Sequence, residues 1–380
     1  MIVQPRYRGP FLPTTLAVAM TAGAPNGVAV AHSTEYDLAA ASFTLPIEIA
    51  LPDYTPGSDQ WLYYKYQDAN NYWGLRVKTS GLLNFIAVTS GVTRLDIDST
   101  TAVSVTNGLN LWGAVSVTRE SASAAGAGVF TINGSALGAS VPITAATPVS
   151  LSNTGSLYIA GTNAAGTEST VRAAYPYNRA LSAAEVLSLC NNGVAAADVG
   201  ASQASAVSGS VLNGTSSRTF STFSSGADNF TGTTLAGDAS LNYAGYSIAV
   251  SVGQKIRVKG SFSITGTLGG AVFRINIATS LSNSSALSNT ISLSGTSGDF
   301  DVVLTATGSA TGIVNFSLGT SPVTDATITV TSIAINRLGC TLQLDPSGLT
   351  ASGLTWTDSS GNGNNGTLPA AGATKVSIRK

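Results

Sequence analysis

Trp61, Tyr63, Tyr64, Tyr66, Tyr72 and Trp73 crowd two consecutive strand-like runs. Alternation along a strand sets Trp61 and Tyr63 on one face and Tyr64 and Tyr66 on the other, so one set must leave the core. Aromatic rings outside a core stack on the flat faces of sugars or pack against another subunit, and both roles stay open here. Asp96 and Asp98 are the best carboxylate pair. Two residues apart on a strand, they share a face and can line a groove. With Trp61, Tyr63 and Tyr72 they form the candidate carbohydrate-binding set. Hydrolysis of a glycosidic bond needs paired acids, and Ser99-Thr100-Thr101 follows with no further one. The chain has one histidine, His32, which excludes metal triads built on histidine. Beside Ser33 it reads as a turn or core residue rather than a catalytic base. No phosphate-binding, dinucleotide-binding, CxxC or EF-hand spacing occurs. The expectation is a chain without enzymatic activity, cofactor or metal.

These residues sit in a chain of 380 residues, a length that suits two domains. Charged residues make up 10 % of it, against roughly 25 % in ordinary soluble domains. Gly, Ser, Thr and Val suit strands and tight turns rather than exposed amphipathic helices. The apolar fraction of 43 % can fill two cores. A net charge of −1 without a Lys/Arg cluster excludes nucleic acid as a partner. No run approaches the ~20 apolar residues of a membrane span. A surface this poor in charge fits one covered by other copies or partners. Cys190 and Cys340 read as two separate buried thiols.

Residues 1–15 read as an extended docking arm. Arg6, Tyr7, Arg8 and Phe11 are interleaved with Pro5, Pro10 and Pro13 and follow no period. Arg6 and Arg8 before Leu16–Met20 imitate a signal peptide, but the prolines interrupt it. From 16 to 196 strand follows strand: 42–45, 47–49, 62–65, 73–77, 83–88, 112–118, 129–132 and 157–160. Asn70-Asn71, Ser80-Gly81, Asn107-Gly108 and Asn133-Gly134 punctuate them. Trp112, Val115 and Val117 do not alternate strictly, which predicts a bulge near Gly113-Ala114. One helix is expected at 182–191, with Ser182 and Glu185 as a capping box, Gly193 as its exit and Leu181, Val186, Leu189 and Cys190 as its buried stripe. Residues 197–208 read as a linker and 209–340 as a second, smaller sandwich. Residues 341–380 read as a C-terminal hairpin and tail, pinned by Trp356. The predicted class is all-β, with two β-sandwich (jelly-roll) domains in tandem.

Leu111–Arg119, Val129–Gly134, Leu157–Gly161 and Tyr177-Asn178-Arg179-Ala180-Leu181-Ser182-Ala183-Ala184-Glu185 occur in an order that resembles the concanavalin A/laminin-G-like jelly roll. The resemblance covers about 20–195 and implies that fold. It does not carry over a calcium site. Gly113 stands where the family often has His, and Thr170–Ala174 lacks the family's acidic residue. Asp228-Asn229-Phe230 and Val252–Gly260 resemble the strands of carbohydrate-binding jelly rolls. Leu342–Leu349 and Trp356–Leu368 resemble the endings of bacteriophage tail and virion structural proteins. Asp358–Thr367 also resembles the opening of a laminin-G-like domain, with too few residues after it to build one.

The resemblances imply a bacteriophage virion structural protein, tail-associated, fibre or capsid-decorating, that shows glycan-binding modules to a host surface. Its partners would be other virion proteins, copies of itself (a trimer, by analogy with phage fibres) and a host glycan. It would be made in the host cytoplasm and reside in the virion. The alternative is a soluble or bacterial-surface carbohydrate-binding protein or adhesin. A polysaccharide-degrading enzyme that uses the first domain is the second alternative.

Overall fold

The structure is a computed structural model that describes residues 15–21, 24–199, 201, 212–213, 220–234, 242–267, 272–279, 286–318, 324–350 and 352–378. The expected arm residues Arg6, Tyr7, Arg8 and Phe11 lie outside the described residues, as does most of the expected linker.

Short alternating runs form the strands, in chain order: β1 (Thr15–Met20), β2 (Val28–Val30), β3 (Phe43–Ala50), β4 (Gln60–Asp68), β5 (Asn71–Val77), β6 (Leu83–Thr89), β7 (Val92–Asp98), β8 (Asn110–Thr118), β9 (Gly126–Ile132), β10 (Ser135–Ala136), β11 (Val141–Ile143), β12 (Ser156–Ile159) and β13 (Ser169–Ala174). Helix α1 (Ala183–Asn192) follows. The second unit holds β14 (Leu212–Asn213), β15 (Thr222–Ser225), β16 (Phe230–Thr233), β17 (Asn242–Val250), β18 (Lys255–Thr267), β19 (Phe273–Ala278), β20 (Ile291–Leu293), β21 (Ser297–Thr305), β22 (Ala310–Leu318) and β23 (Thr324–Leu338). The chain ends on β24 (Thr355–Trp356), β25 (Gly366–Thr367) and β26 (Ala373–Ile378).

Two compact units result, 1–194 with 340–380 and 195–339. The second is therefore an insertion in the first. This differs from the tandem arrangement with a separate tail that the local pattern suggested. The last forty residues are working parts of the first sandwich, because β26 pairs with β1 and β25 with β2. The run that resembles a domain opening thus does enter a sandwich, and its body comes from the other end of the chain. Asp358 organises its turn, accepting from the backbone of Gln343, Ser360 and Asn364 at 2.8–2.9 Å.

Among the described residues, the first unit stacks sheet β10-β9-β8-β3-β13-β1-β26, with β11 on β9, against sheet β24-β25-β2-β12-β4-β5-β6-β7. Phe43, Leu45, Ile47, Trp73, Leu75, Phe85 and Trp356 fill the space between them. Gly113 and Ala114 carry no bulge, since β3 and β8 pair without a slip from Phe43↔Val117 to Ala50↔Asn110. Leu111, Val115 and Val117 face the main core, while Trp112 and Ala114 face outward. That outer face is apolar because α1 covers it, through Leu181, Val186 and Leu189. Alternation is kept, and it only looked broken because both faces of β8 are buried. Asn133 and Gly134 form the two-residue turn between β9 and β10, both at positive φ (48° and 77°).

Helix α1 begins as its sequence demands. The Ser182 hydroxyl accepts from the Glu185 N–H, and the Glu185 carboxylate accepts from the Ser182 N–H at 2.9 Å. Glu185 also pairs with Arg179 at 2.8 Å. Glu185→Ala is expected to lower stability by about 1 kcal/mol in urea unfolding. Glu185→Gln, which keeps the box and drops the ion pair, should cost less.

The second unit packs sheet β14-β17-β22-β19-β20 on sheet β15-β16-β23-β18-β21. Its core contains a run of phenylalanine rings, with Phe262 and Phe273 at 5.1 Å and Phe273 stacked on Phe316 at 6.1 Å. The molecule is all-β apart from α1 and short 3-10 turns among the described residues.

Candidate functional site

Strand β4 does not alternate cleanly. Its register against β5 slips between Trp61 and Tyr63, so one extra residue bulges there. Leu62 and Tyr63 are both buried as a result, and Trp61 turns outward with Tyr64 and Tyr66. The expected pairing of Trp61 with Tyr63 on one face therefore fails. Tyr63 is a core residue, 0 % exposed. Its hydroxyl donates to the Pro46 carbonyl and accepts from the Tyr175 N–H.

The outward rings form one strip. Tyr64 lies at its centre, 4.5 Å from Trp61, 5.3 Å from Tyr66 and 5.8 Å from Tyr72 between ring centroids. Tyr158 on β12 stands opposite Tyr64 in register. Each of these rings is partly exposed. Gly74 makes room for them. A Cβ on it would meet the Trp61 ring at 2.5 Å, so the indole lies across β5 where a side chain would otherwise stand. The Arg76 guanidinium sits 5.0 Å over the same ring. Burial among its neighbours pushes the Tyr64 phenol well above its usual range, with Tyr66 and Tyr72 adding to the effect. It therefore stays a neutral donor well into alkaline conditions.

A polar row continues the strip toward β7. Arg76 Nε donates to Asn84 Oδ1 at 2.8 Å, and Arg76 also pairs with Asp59 at 2.9 Å. Asn84 Nδ2 donates to Asp96 Oδ1 at 2.8 Å and to Asp98 Oδ1 at 2.7 Å. Lys78 holds Asp98 at 2.9 Å. Cross-strand register explains the grouping, because Asn84 faces Asp98 and Ile86 faces Asp96. The structure thus brings Trp61, Tyr72, Asp96 and Asp98 onto one outer face and leaves Tyr63 behind it. Tyr64, Tyr158, Arg76 and Asn84 were not in the sequence-derived set. Tyr158 had a readable signal, since it alternates with Leu157 and Ile159. Arg76 and Asn84 had none, because their role depends on which strands become neighbours. Flat rings flanked by fixed donors and acceptors can take a polyhydroxylated chain, the rings against its C–H faces and the row against its hydroxyls.

His32 is an exposed residue whose Nδ1 lies 3.0 Å from the Nζ of Lys65. Lys65 is 0 % exposed, ion-paired with Asp37 at 3.0 Å, donating to the Gly155 carbonyl at 2.9 Å and set over the Tyr36 ring. Burial lowers its pKa from the usual lysine value, and Asp37 partly opposes that. Among the described residues no group of three or more His, Cys, Asp or Glu side chains is placed to hold a metal ion.

No family model matches the sequence, and no curated protein matches it. Solved structures similar to it include domains LG4-5 of the mouse laminin α1 chain, at 11 % identity and TM-score 0.33, covering 89 % of this chain and 92 % of that one. The heptameric SAP-like pentraxin of Limulus polyphemus is similar at 12 % identity and TM-score 0.35, over 46 % of this chain and 82 % of that one. The N-terminal cellulose-binding domain of Cellulomonas fimi β-1,4-glucanase C is similar at 12 % identity and TM-score 0.27, over 33 % and 88 %. The class that the fold and the face define is an all-β protein of jelly-roll-type sandwiches with an aromatic outer face on the first.

Proposed function

We propose that this chain is a carbohydrate-binding protein that holds a glycan on the aromatic outer face of its first unit. One observation carries the reading. Trp61, Tyr64, Tyr66, Tyr72 and Tyr158 are held partly exposed beside a hydrogen-bonded polar row rather than folded into the core. A lone exposed ring is ordinary, but a packed strip is not. Sugar recognition also fits the bonding already in place. The carboxylates of Asp96 and Asp98 and the Asn84 amide are fixed by one another, so they need not reorganise when a hydroxyl arrives. Binding to a panel of soluble and insoluble polysaccharides tests this. Trp61→Ala and Tyr64→Ala should each weaken the observed binding by roughly threefold to tenfold, the size of a ring contact. Their circular dichroism should stay unchanged. If both variants bind as the parent does, the face is not the site.

The place of action is a separate part of the proposal. Carriage on a bacteriophage particle, with other virion proteins and further copies as partners, is supported by the resemblance of the C-terminal run, the proline-rich arm at 1–15 and the low charge of the chain. Recovery of the chain with purified particles tests it.

A further inference from the structure

The aromatic strip does not end at Trp61. Beyond it, at one end of the first sandwich, opens a cleft of about 470 Å³. That volume lies within the ~300–1,000 Å³ of sites that take small ligands. Trp61 belongs to both features, as does Asp59, which pairs with the Arg76 that lies over the indole. The far wall is the 161–168 turn, which β4 holds in place, since the Thr167 hydroxyl donates to the Trp61 carbonyl at 3.1 Å. Gly166 lets this wall pack closely, because a Cβ there would meet Ala24 Cβ at 2.6 Å.

The charges around the cleft are of one sign. Asp53, Asp59 and Glu168 line it, and among the described residues no lysine or arginine does. Asp59 is offset by Arg76, whereas Glu168 is exposed. The Asp53 carboxyl is held below its usual value, chiefly by the Thr55 N–H, with burial opposing and the Thr55 hydroxyl and Asn107 adding to the lowering, so it stays ionised at neutral pH.

We infer that this cleft seats the end sugar of a glycan lying on the aromatic face, and that its charge favours an amine-bearing or neutral end sugar over an acidic one. The inference rests on the glycan-binding reading and adds a polarity and a charge preference to it. The path is continuous. A chain stacked along Tyr72, Tyr64 and Trp61 runs off the indole into the cleft, where carboxylates and the hydroxyls of Ser58, Thr162 and Thr167 stand beside the apolar Pro52, Pro56 and Ala165. A uronate or sialate carboxylate placed there would face Asp53 and Glu168, while Arg76, over the Trp61 ring, is already paired with Asp59. An ammonium would find both Asp53 and Glu168.

A glycan array bearing neutral, amine-ended and acid-ended members of the same backbones, probed with the full chain, decides the matter. Among bound backbones, amine-ended members should bind best and acid-ended members worst. Glu168→Gln should narrow that gap by roughly threefold, the scale of one exposed ion pair. High salt should narrow it as well. Neutral glycans should lose less affinity on the variant than amine-ended ones do. Acid-ended members bound as well as amine-ended ones, or a gap untouched by Glu168→Gln, would overturn the inference. If Tyr64→Ala still weakened binding by roughly threefold to tenfold in that case, the aromatic face would stand without it. An array on which nothing binds would remove both.

Discussion

A chain that stops at Gly339 should lose the cooperative unfolding of its first unit. The missing residues do not form a tail. Strand β26 pairs with β1 over six positions, from Thr15↔Ile378 to Met20↔Ala373, and covers an edge that would otherwise lie open. Strand β25 pairs with β2 through Ala29↔Thr367 and Val30↔Gly366. Trp356 is 0 % exposed within the main core, and its Nε1 donates to the Asp345 carbonyl at 2.7 Å. Leu342, Leu344, Leu349 and Leu368 share that core, and Cys340 sits under α1. Each large apolar side chain contributes about 1.5–3 kcal/mol when buried. Five of them together rival the roughly 5–15 kcal/mol that keeps a domain folded. Tryptophan fluorescence reads the outcome selectively, because Trp61, Trp73, Trp112 and Trp356 all belong to the first unit. The truncated chain should emit as unfolded protein before denaturant is added. A sharp transition at the parental midpoint would sink the idea. Trp356→Ala is the graded version, and should cost about 3–5 kcal/mol.

Why this dependence was not visible in the sequence has a physical answer. Local pattern reports which residues alternate, and it located the strands and the Ser182/Glu185 box because those depend on near neighbours. Choice of strand partner is not local. Gly366 and Thr367 read as half of a self-contained hairpin, yet they also pair with β2, more than three hundred residues earlier. The candidate site divides in the same way. Asp96 and Asp98 share a face because residues two apart on a strand must. The side taken by Trp61 depends on a bulge opposite β5, and nothing in the run Trp61-Leu62-Tyr63-Tyr64 marks where the extra residue goes. Trp112 shows the converse. Its strand looked irregular because a helix covers the second face, and the sheet itself is regular.

Removing the Asp37 carboxylate should destabilise the first unit by about 3–5 kcal/mol, the cost of leaving a buried charge without its partner. Lys65 lies on β4 two residues from Tyr63, turned inward where alternation would place an apolar side chain. Its ammonium is satisfied by three acceptors: Asp37 at 3.0 Å, His32 Nδ1 at 3.0 Å and the Gly155 carbonyl at 2.9 Å. In Asp37→Ala two neutral acceptors remain, and the ammonium must either stay charged without its counter-ion or lose its proton. Lys65→Met together with Asp37→Leu removes the charges as a pair, and should cost far less than Asp37→Ala alone. The sign of the pH dependence follows from the lowered pKa of Lys65. Its folded value lies below the 10.5 of an exposed lysine. Between those two values the unfolded chain binds more protons, so stability from this group rises with pH across that window and is lower beneath it. Asp37→Ala should lower the folded value further and extend the window downward. The variant's deficit should therefore be largest near about pH 7 and shrink toward about pH 10, measured by urea unfolding with tryptophan fluorescence. A deficit equal at both pH values would mean that the loss comes from packing around Tyr36 and the turn at 33–37, and that the ion pair contributes nothing.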